Sequence, residues 1–136
     1  MDWINVVLQL LESGHRVIAV NVGAWIDVGT PAALLEINQR FLIPEILHRV
    51  ADRVPVYDNA LAAVWTQGLL QCMPNAYFEG NVLLGDKVRI GASARLENSI
   101  LGPRATIGDG AVLRDTVVMP DAIVEDGMTL TNQVVS

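Results

Sequence analysis

Cysteine is nearly absent. Cys72 is the only one in 136 residues, so no disulfide forms within the chain, and such thiol usage suits a reducing compartment. Lysine is as scarce: Lys87 stands alone, and the rest of the nine Lys and Arg are arginines that form no cluster along the sequence. Against them are 15 Asp and Glu, a net charge of −6. A chain so short of cations is poorly equipped to grip nucleic acid, where affinity grows with the number of basic contacts to phosphate. Long apolar runs are missing too. Residues 3–11 are apolar but fall short of the ~20 residues that span a bilayer, and they carry no basic leader of the kind a secretory signal has. These absences point to a cytoplasmic protein with neither membrane nor nucleic acid as partner. The length allows one domain or two small pieces.

What is present is a repeat. Cut every 17 residues from Leu84, the sequence reads LGDKVRIGASARLENSI, LGPRATIGDGAVLRDTV and VMPDAIVEDGMTLTNQV. The first residue of each hexad is a branched aliphatic: Leu84, Ile90, Leu96; Leu101, Ile107, Leu113; Val118, Val124, Leu130. Four residues further on stand Val88, Ala94, Ile100; Ala105, Ala111, Val117; Ala122, Met128 and Val134, apolar again. In a chain that is 51% hydrophobic, chance would make all these positions apolar only about five times in a million. The repeat is real.

Two apolar positions four apart suit a short strand. Turn residues such as Gly85-Asp86-Lys87, Gly108-Asp109-Gly110 and Glu125-Asp126-Gly127 suit a corner, because Gly, Asp and Asn tolerate left-handed backbone angles. Three hexads then close a triangular coil, and a 17-residue period shortens one corner by a residue. Stacked coils pair each strand with its equivalent about 4.8 Å along the axis, and no coil buries its apolar face alone. The pattern resembles the left-handed hexapeptide parallel β-helix. It predicts a polar column of Asn98, Asp115 and Asn132 at one corner. Cys72, Ala76, Phe78 and Val82 continue the six-residue spacing backwards, so an imperfect coil is expected before Leu84.

The first half obeys different rules. Asp2 is placed to cap a helix with Ile4, Val7, Leu8 and Leu11 on its apolar face and Gly14 at its end. Residues 16–22, RVIAVNV, are β-branched and alternating enough to predict a strand. Thr30 followed by Pro31 predicts a helix start, with the helix running to about Phe41 and burying Ala33, Leu34, Ile37 and Phe41. Pro44 restarts it, with Ile46, Leu47 and Val50 on one face. Pro55, Asp58-Asn59 and Gly68 punctuate residues 52–73, which read as a connector with one short helix around 61–65. The organisation is thus mainly β: residues 1–52 as a strand–helix remnant of an α/β domain, 53–75 as connector and 76–136 as β-helix. One strand makes no sheet, and two apolar helices have no obvious surface to cover, so the first part looks like the tail of a larger α/β domain.

The passage Gly23-Ala24-Trp25-Ile26-Asp27-Val28-Gly29-Thr30-Pro31, followed by a helix carrying Leu34, Leu35, Asn38 and Gln39, resembles a known signature. It is the W-x-D-[VI]-G-T-P element near the end of the catalytic domain of sugar-phosphate nucleotidylyltransferases. Its closest look is to the mannose-1-phosphate guanylyltransferase and glucose-1-phosphate thymidylyltransferase group. Those enzymes join a nucleoside triphosphate to a sugar 1-phosphate and release pyrophosphate, and many carry a left-handed β-helix directly after that domain. The resemblance implies that Asp27 is one of two carboxylates holding a catalytic Mg²⁺, a cation that takes few carboxylates plus phosphate oxygens and water. Thr30 reads as the helix cap and Trp25 as core packing. The family's glycine-rich nucleotide loop and its second metal aspartate are not found in this sequence, so no catalytic, nucleotide-binding or sugar-binding residue is assigned. The resemblance therefore implies the C-terminal part of such an enzyme, inactive by itself, with the β-helix serving assembly or regulation. A nucleotide sugar would be the ligand of the complete enzyme, and an N-terminal catalytic portion its possible partner.

Two other readings compete. A free-standing interaction module would use the strand edge after Val134 to pair with another chain, giving a homo-oligomer through the β-helix. A hexapeptide acyltransferase would want a histidine base at an interface between β-helices, whereas His15 and His48 both lie outside the coils. Cys72 has no nearby His or Lys in sequence and reads as a buried structural thiol. Asp86, Asp109, Asp115, Asp121 and Asp126 read as corner residues rather than a calcium site.

Overall fold

The hexads fold into a parallel β-solenoid. A computed structural model describes residues 2–23, 25–50, 57–58 and 61–136. The first face of the solenoid holds β2 (Ala62–Thr66), the second half of β4 (Tyr77–Leu84), β7 (Ile100–Leu101), β10 (Val117–Val118) and β13 (Val134–Val135). The second face holds β3 (Leu70–Cys72), β5 (Val88–Ile90), β8 (Thr106–Ile107) and β11 (Ile123–Val124). The third holds the first half of β4, then β6 (Arg95–Glu97), β9 (Val112–Arg114) and β12 (Thr129–Thr131). A short β1 (Tyr57–Asp58) pairs antiparallel with β2.

The register carries the period. Thr66 pairs with Leu84, 18 residues on, and Leu84 then pairs with Leu101, Leu101 with Val118 and Val118 with Val135, each 17 residues on. The imperfect coil expected before Leu84 is therefore present, and it keeps three full hexads. It also reaches back to Ala62. The short helix expected at residues 61–65 is instead strand β2, because Ala62, Val64 and Thr66 alternate into the core while Trp65 is buried on the other face. Pro55 and Asn59, read as connector punctuation, lie outside the described residues.

The first apolar residue of each hexad lies on a strand, as Ile90 does in Val88–Ile90 and Leu96 in Arg95–Glu97, so the corner falls between the two positions four apart rather than beyond them. Residues two apart share a strand face, and this stacks the interior in columns. Leu84, Leu101 and Val118 form one, Ile90, Ile107 and Val124 another, and Leu96, Leu113 and Leu130 a third, all buried. Burying a Leu or Ile side chain fully is worth about 1.5–3 kcal/mol, so these columns hold the coils together. Met128 sits at an apolar template position in the last coil, yet it is exposed.

The short corner changes which residue points inward. With one residue removed, Ile100, Val117 and Val134 stand immediately before Leu101, Val118 and Val135 and face outward. The inward places go to Ser99 and Thr116, both buried. Each is satisfied locally: Ser99 Oγ donates to the Glu97 carbonyl at 2.7 Å, and Thr116 Oγ1 to the Arg114 carbonyl at 2.7 Å. The polar column Asn98, Asp115 and Asn132 occupies this corner, with φ of 43°, 47° and 56°. The other two corners stack Lys87, Arg104 and Asp121 (φ 59°, 61° and 64°) and Asn75, Ser93, Gly110 and Gly127 (φ 63°, 57°, 67° and 68°). At each corner the left-handed residue donates its N–H to a carbonyl of the preceding coil, as Arg104 does to Asp86 at 2.8 Å and Asp115 to Glu97 at 3.0 Å.

Outward Leu83 and Ile100 give the helices the surface they needed. α2 (Pro31–Phe41) and α3 (Pro44–Val50) lie against the first face, where Leu42, Leu47 and Trp65 pack together with Ala63, Leu83 and Ile100 at their margin. Asn81 Nδ2 donates to the Leu42 carbonyl at 3.0 Å and Gln39 Nε2 to that of Asp115 at 3.4 Å. The bounds of α2 agree with the sequence, but its buried residue is Leu35; Ala33, Leu34 and Ile37 are half-buried, and Phe41 is exposed. Leu47 is the buried residue of α3 and Ile46 is half-buried, while the Val50 side chain lies outside the described residues. α1 (Trp3–Glu12) forms as expected, with Asp2 accepting from the Ile4 N–H and Gly14 left-handed at φ 78°. It buries none of its residues. Residues 16–22, expected as a strand, form none and have no strand partner among the described residues; a strand exists only when its backbone groups are paired.

Candidate functional site

The loop before α2 places Asp27 by local hydrogen bonds. Thr30 Oγ1 accepts from the Ala33 N–H at 3.1 Å, which starts the helix, and Asp27 Oδ1 accepts from the Gly29 N–H at 3.1 Å, which folds the loop back toward it. Asp27 shares a small hollow of about 110 Å³ with Ile26, Ala33, Glu36, Ile37 and Arg40. Glu36 is held there by Arg40, whose Nη2 donates to Glu36 Oε1 at 2.7 Å. Trp25, expected in the core, is 78% exposed, because no element among the described residues packs over the loop.

A Mg²⁺ ion takes one or two carboxylates together with phosphate oxygens and water. Asp27 keeps one carboxylate oxygen clear of the turn, so its chemistry fits one such ligand. No set of three or more His, Cys, Asp or Glu side chains converges anywhere among the described residues. Asp27 by itself therefore makes no metal site among the described residues.

The remaining sequence candidates separate cleanly. His15 follows α1 in an exposed stretch, and His48 on α3 packs against Trp65. Cys72, expected to be buried, is exposed. It holds an interior position in register with Ile90, but β3 is the outermost strand of its face and no further coil covers it among the described residues. Partial shielding of the thiol still pushes its pKa up. The corner aspartates bond to the backbone or to a neighbour. Asp86 Oδ1 accepts from the Leu69 N–H at 2.9 Å, Asp109 Oδ1 from that of Ala92 at 2.7 Å, and Asp126 Oδ1 from that of Asp109 at 2.8 Å. Asp121 takes two bonds from Arg104, at 2.6 and 2.7 Å.

What the sequence hid is a meeting of cations. Lys87, Arg89 and Arg104, scattered along the chain, border one hollow of about 610 Å³ on the second face, with Leu69, Leu70 and Thr106. The clue was in the period: 87 and 104 differ by one 17-residue coil, so the two residues stack. No protein-family model and no curated protein matches this chain.

Proposed function

We propose that this chain is the C-terminal part of a sugar-1-phosphate nucleotidylyltransferase, completed by a catalytic portion that supplies the nucleotide loop and the second metal carboxylate. The observation that carries this reading is the state of the segment that bears the signature. Trp3, Ile4, Val20, Val22 and Trp25 are each more than 60% exposed, and residues 16–22 have no strand partner among the described residues, although the consecutive Val17-Ile18-Ala19-Val20 would put apolar side chains on both faces of a strand. A strand apolar on both faces belongs inside a sheet covered on both sides, and the missing catalytic portion would provide that sheet.

In the completed enzyme Asp27 would hold Mg²⁺ together with the second carboxylate, and the ion would offset the charge on the phosphates being joined. Thr30 and α2 fix the loop that presents Asp27. The solenoid serves assembly or regulation, since each of its faces ends in a strand whose outer backbone groups are open to pairing, β11 and β13 among them. The test is to mix this chain with a catalytic portion carrying the glycine-rich loop, then measure pyrophosphate release from nucleoside triphosphates and several sugar 1-phosphates. Release that disappears in the Asp27→Asn variant is the expected result. A folded complex that releases none overturns the reading.

A second reading, a non-catalytic oligomerisation module, is favoured by the same open strand edges. Sedimentation separates its requirement from the first reading: a strict monomer at high concentration removes it, whereas the catalytic reading survives.

A further inference from the structure

We propose that the second face of the solenoid is a binding site for a small phosphate monoester, held by Arg89, Lys87 and Arg104. This site stands apart from Asp27, whose helix packs on the first face, and it does not rest on the function proposed above.

Three of the chain's nine Lys and Arg border this one hollow in a protein of net charge −6. Arg89 projects outward from the middle of β5 and makes no ion pair among the described residues. The acidic groups near the cations are Asp86 and Asp121, with Asp109 and Asp126 in the adjoining hollow that shares Arg89. Asp86 is bound by the Leu69 N–H and lies 3.9 Å from Lys87 Nζ, a loose pair, while Asp121 occupies Nε and Nη2 of Arg104. The hollow's own lining carries these three cations and no carboxylate. A guanidinium offers five donors in a planar fork that matches phosphate oxygens, and Arg104 spends two of its five on Asp121.

The backbone marks the same two corner cations. Lys87 and Arg104 adopt left-handed angles, where the equivalent places at the other two corners carry Gly, Asn, Ser and Asp. A residue that has a Cβ but no short polar side chain to bond its own backbone is disfavoured there. The cost is accepted at the corner that borders the hollow.

The hollow also limits the ligand. Its volume of about 610 Å³ falls within the ~300–1,000 Å³ of small-molecule sites. Leu69 is 70% exposed and Leu70 partly buried, and together they offer an apolar wall for the body of the molecule. An adjoining hollow on the same face shares Gln71, Arg89 and Thr106 but is bordered by Asp109 and Asp126, which repel further anionic groups. A single terminal phosphate on a neutral body satisfies these conditions, and a polyanion does not.

The experiment is calorimetric titration of the whole chain with adenosine 5′-monophosphate, a hexose 6-phosphate, inorganic phosphate and adenosine. Saturable binding of one or both monoesters, stronger than inorganic phosphate and absent for adenosine, is expected. Binding of the nucleotide alone assigns the apolar wall to a base, and binding of both assigns recognition to the phosphate. Arg89→Gln should weaken binding about tenfold, equivalent to ~1.4 kcal/mol, and Lys87→Gln should weaken it too. Arg95→Gln, on the third face, should leave it unchanged. All are exposed positions, and circular dichroism confirms that the variants fold. No saturable binding of either monoester, or equal affinity in Arg89→Gln and the parent, overturns the proposal.

Discussion

The imidazole of His48 meets the indole of Trp65 edge to face, with ring centroids 4.5 Å apart and planes at 86°. This contact seals α3 to the first face of the solenoid, where Trp65 is 2% and Leu47 1% exposed. The Trp65 Nε1–H is buried with no acceptor among the described residues. A buried unsatisfied donor costs about 1–3 kcal/mol, so the ring is held by its apolar body in spite of its nitrogen. Trp65→Ala should destabilise by about 3–5 kcal/mol. Trp65→Phe, which removes the orphaned donor along with part of the ring, should cost much less. Urea denaturation followed by circular dichroism compares the two, and an equal loss in Trp65→Phe would show that the packing of an aromatic ring is not what holds this site.

Ser99 and Thr116 form the one buried hydroxyl pair between successive coils among the described residues. The Thr116 N–H donates to Ser99 Oγ at 3.2 Å, inside the core. Ser99→Ala keeps the volume but leaves that N–H unsatisfied, a loss of about 1–3 kcal/mol. Thr116→Val should lose less, since its own N–H keeps its partner. Chemical denaturation of both variants gives the order directly, and the opposite order would place the constraint in the threonine hydroxyl.

Asp115 stands at a short corner with φ 47° and its N–H bonded to the Glu97 carbonyl at 3.0 Å. The backbone angle, rather than the carboxylate, is what the position demands. Asp115→Gly or Asp115→Asn should be close to neutral, whereas Asp115→Val should cost about 1–2 kcal/mol or more, from a branched side chain in the left-handed region. Thermal melts of the three variants are sufficient to rank them.

The Arg104–Asp121 pair makes a pH prediction. Hydrogen bonding to Arg104 lowers the Asp121 pKa below its ordinary 3.8, and the same bond raises that of Arg104. The folded chain therefore holds the Asp121 proton less tightly than the unfolded chain. The stabilisation is fully present above the ordinary aspartate value and is lost as pH falls through the lower folded value. Both partners are exposed, so the effect is small and weakens with salt. Asp121→Asn should flatten the denaturation midpoint against pH below about pH 4. An unchanged slope in low salt would show that the pair contributes nothing.

Much of the solenoid was legible because its period is short and strict. Leu84, Ile90 and Leu96 repeat as Leu101, Ile107 and Leu113, and the registers join these residues as the spacing requires. The corner column of Asn98, Asp115 and Asn132 followed from the same arithmetic. Residues 61–65 misled because Ala62, Ala63 and Leu61 favour helix locally, and only pairing of Ala62 with Gly80 and Trp65 with Leu83 makes the segment a strand. Residues 16–22 misled in the other direction. Val17, Val20 and Val22 carry strand propensity, but propensity supplies no hydrogen-bond partner. Around the candidate site, the Thr30 cap was readable from adjacent residues, whereas the exposure of Trp25 depends on what packs above it.

The sequence by itself determined the coil: its 17-residue period, its apolar columns and its left-handed corners are all set by residues within six positions of each other, so local spacing suffices. Tertiary structure alone decided what lies on the outside. The lost residue in each later coil turns Ile100, Val117 and Val134 outward, and α2 and α3 settle against the first face. Stacking likewise sets Arg104 one coil from Lys87 and brings both beside Arg89 at one hollow, though the chain separates the first and last by a full coil. Contacts between coils are fixed by the axial repeat of the backbone and not by neighbours in sequence, so a linear reading finds the columns and misses the faces.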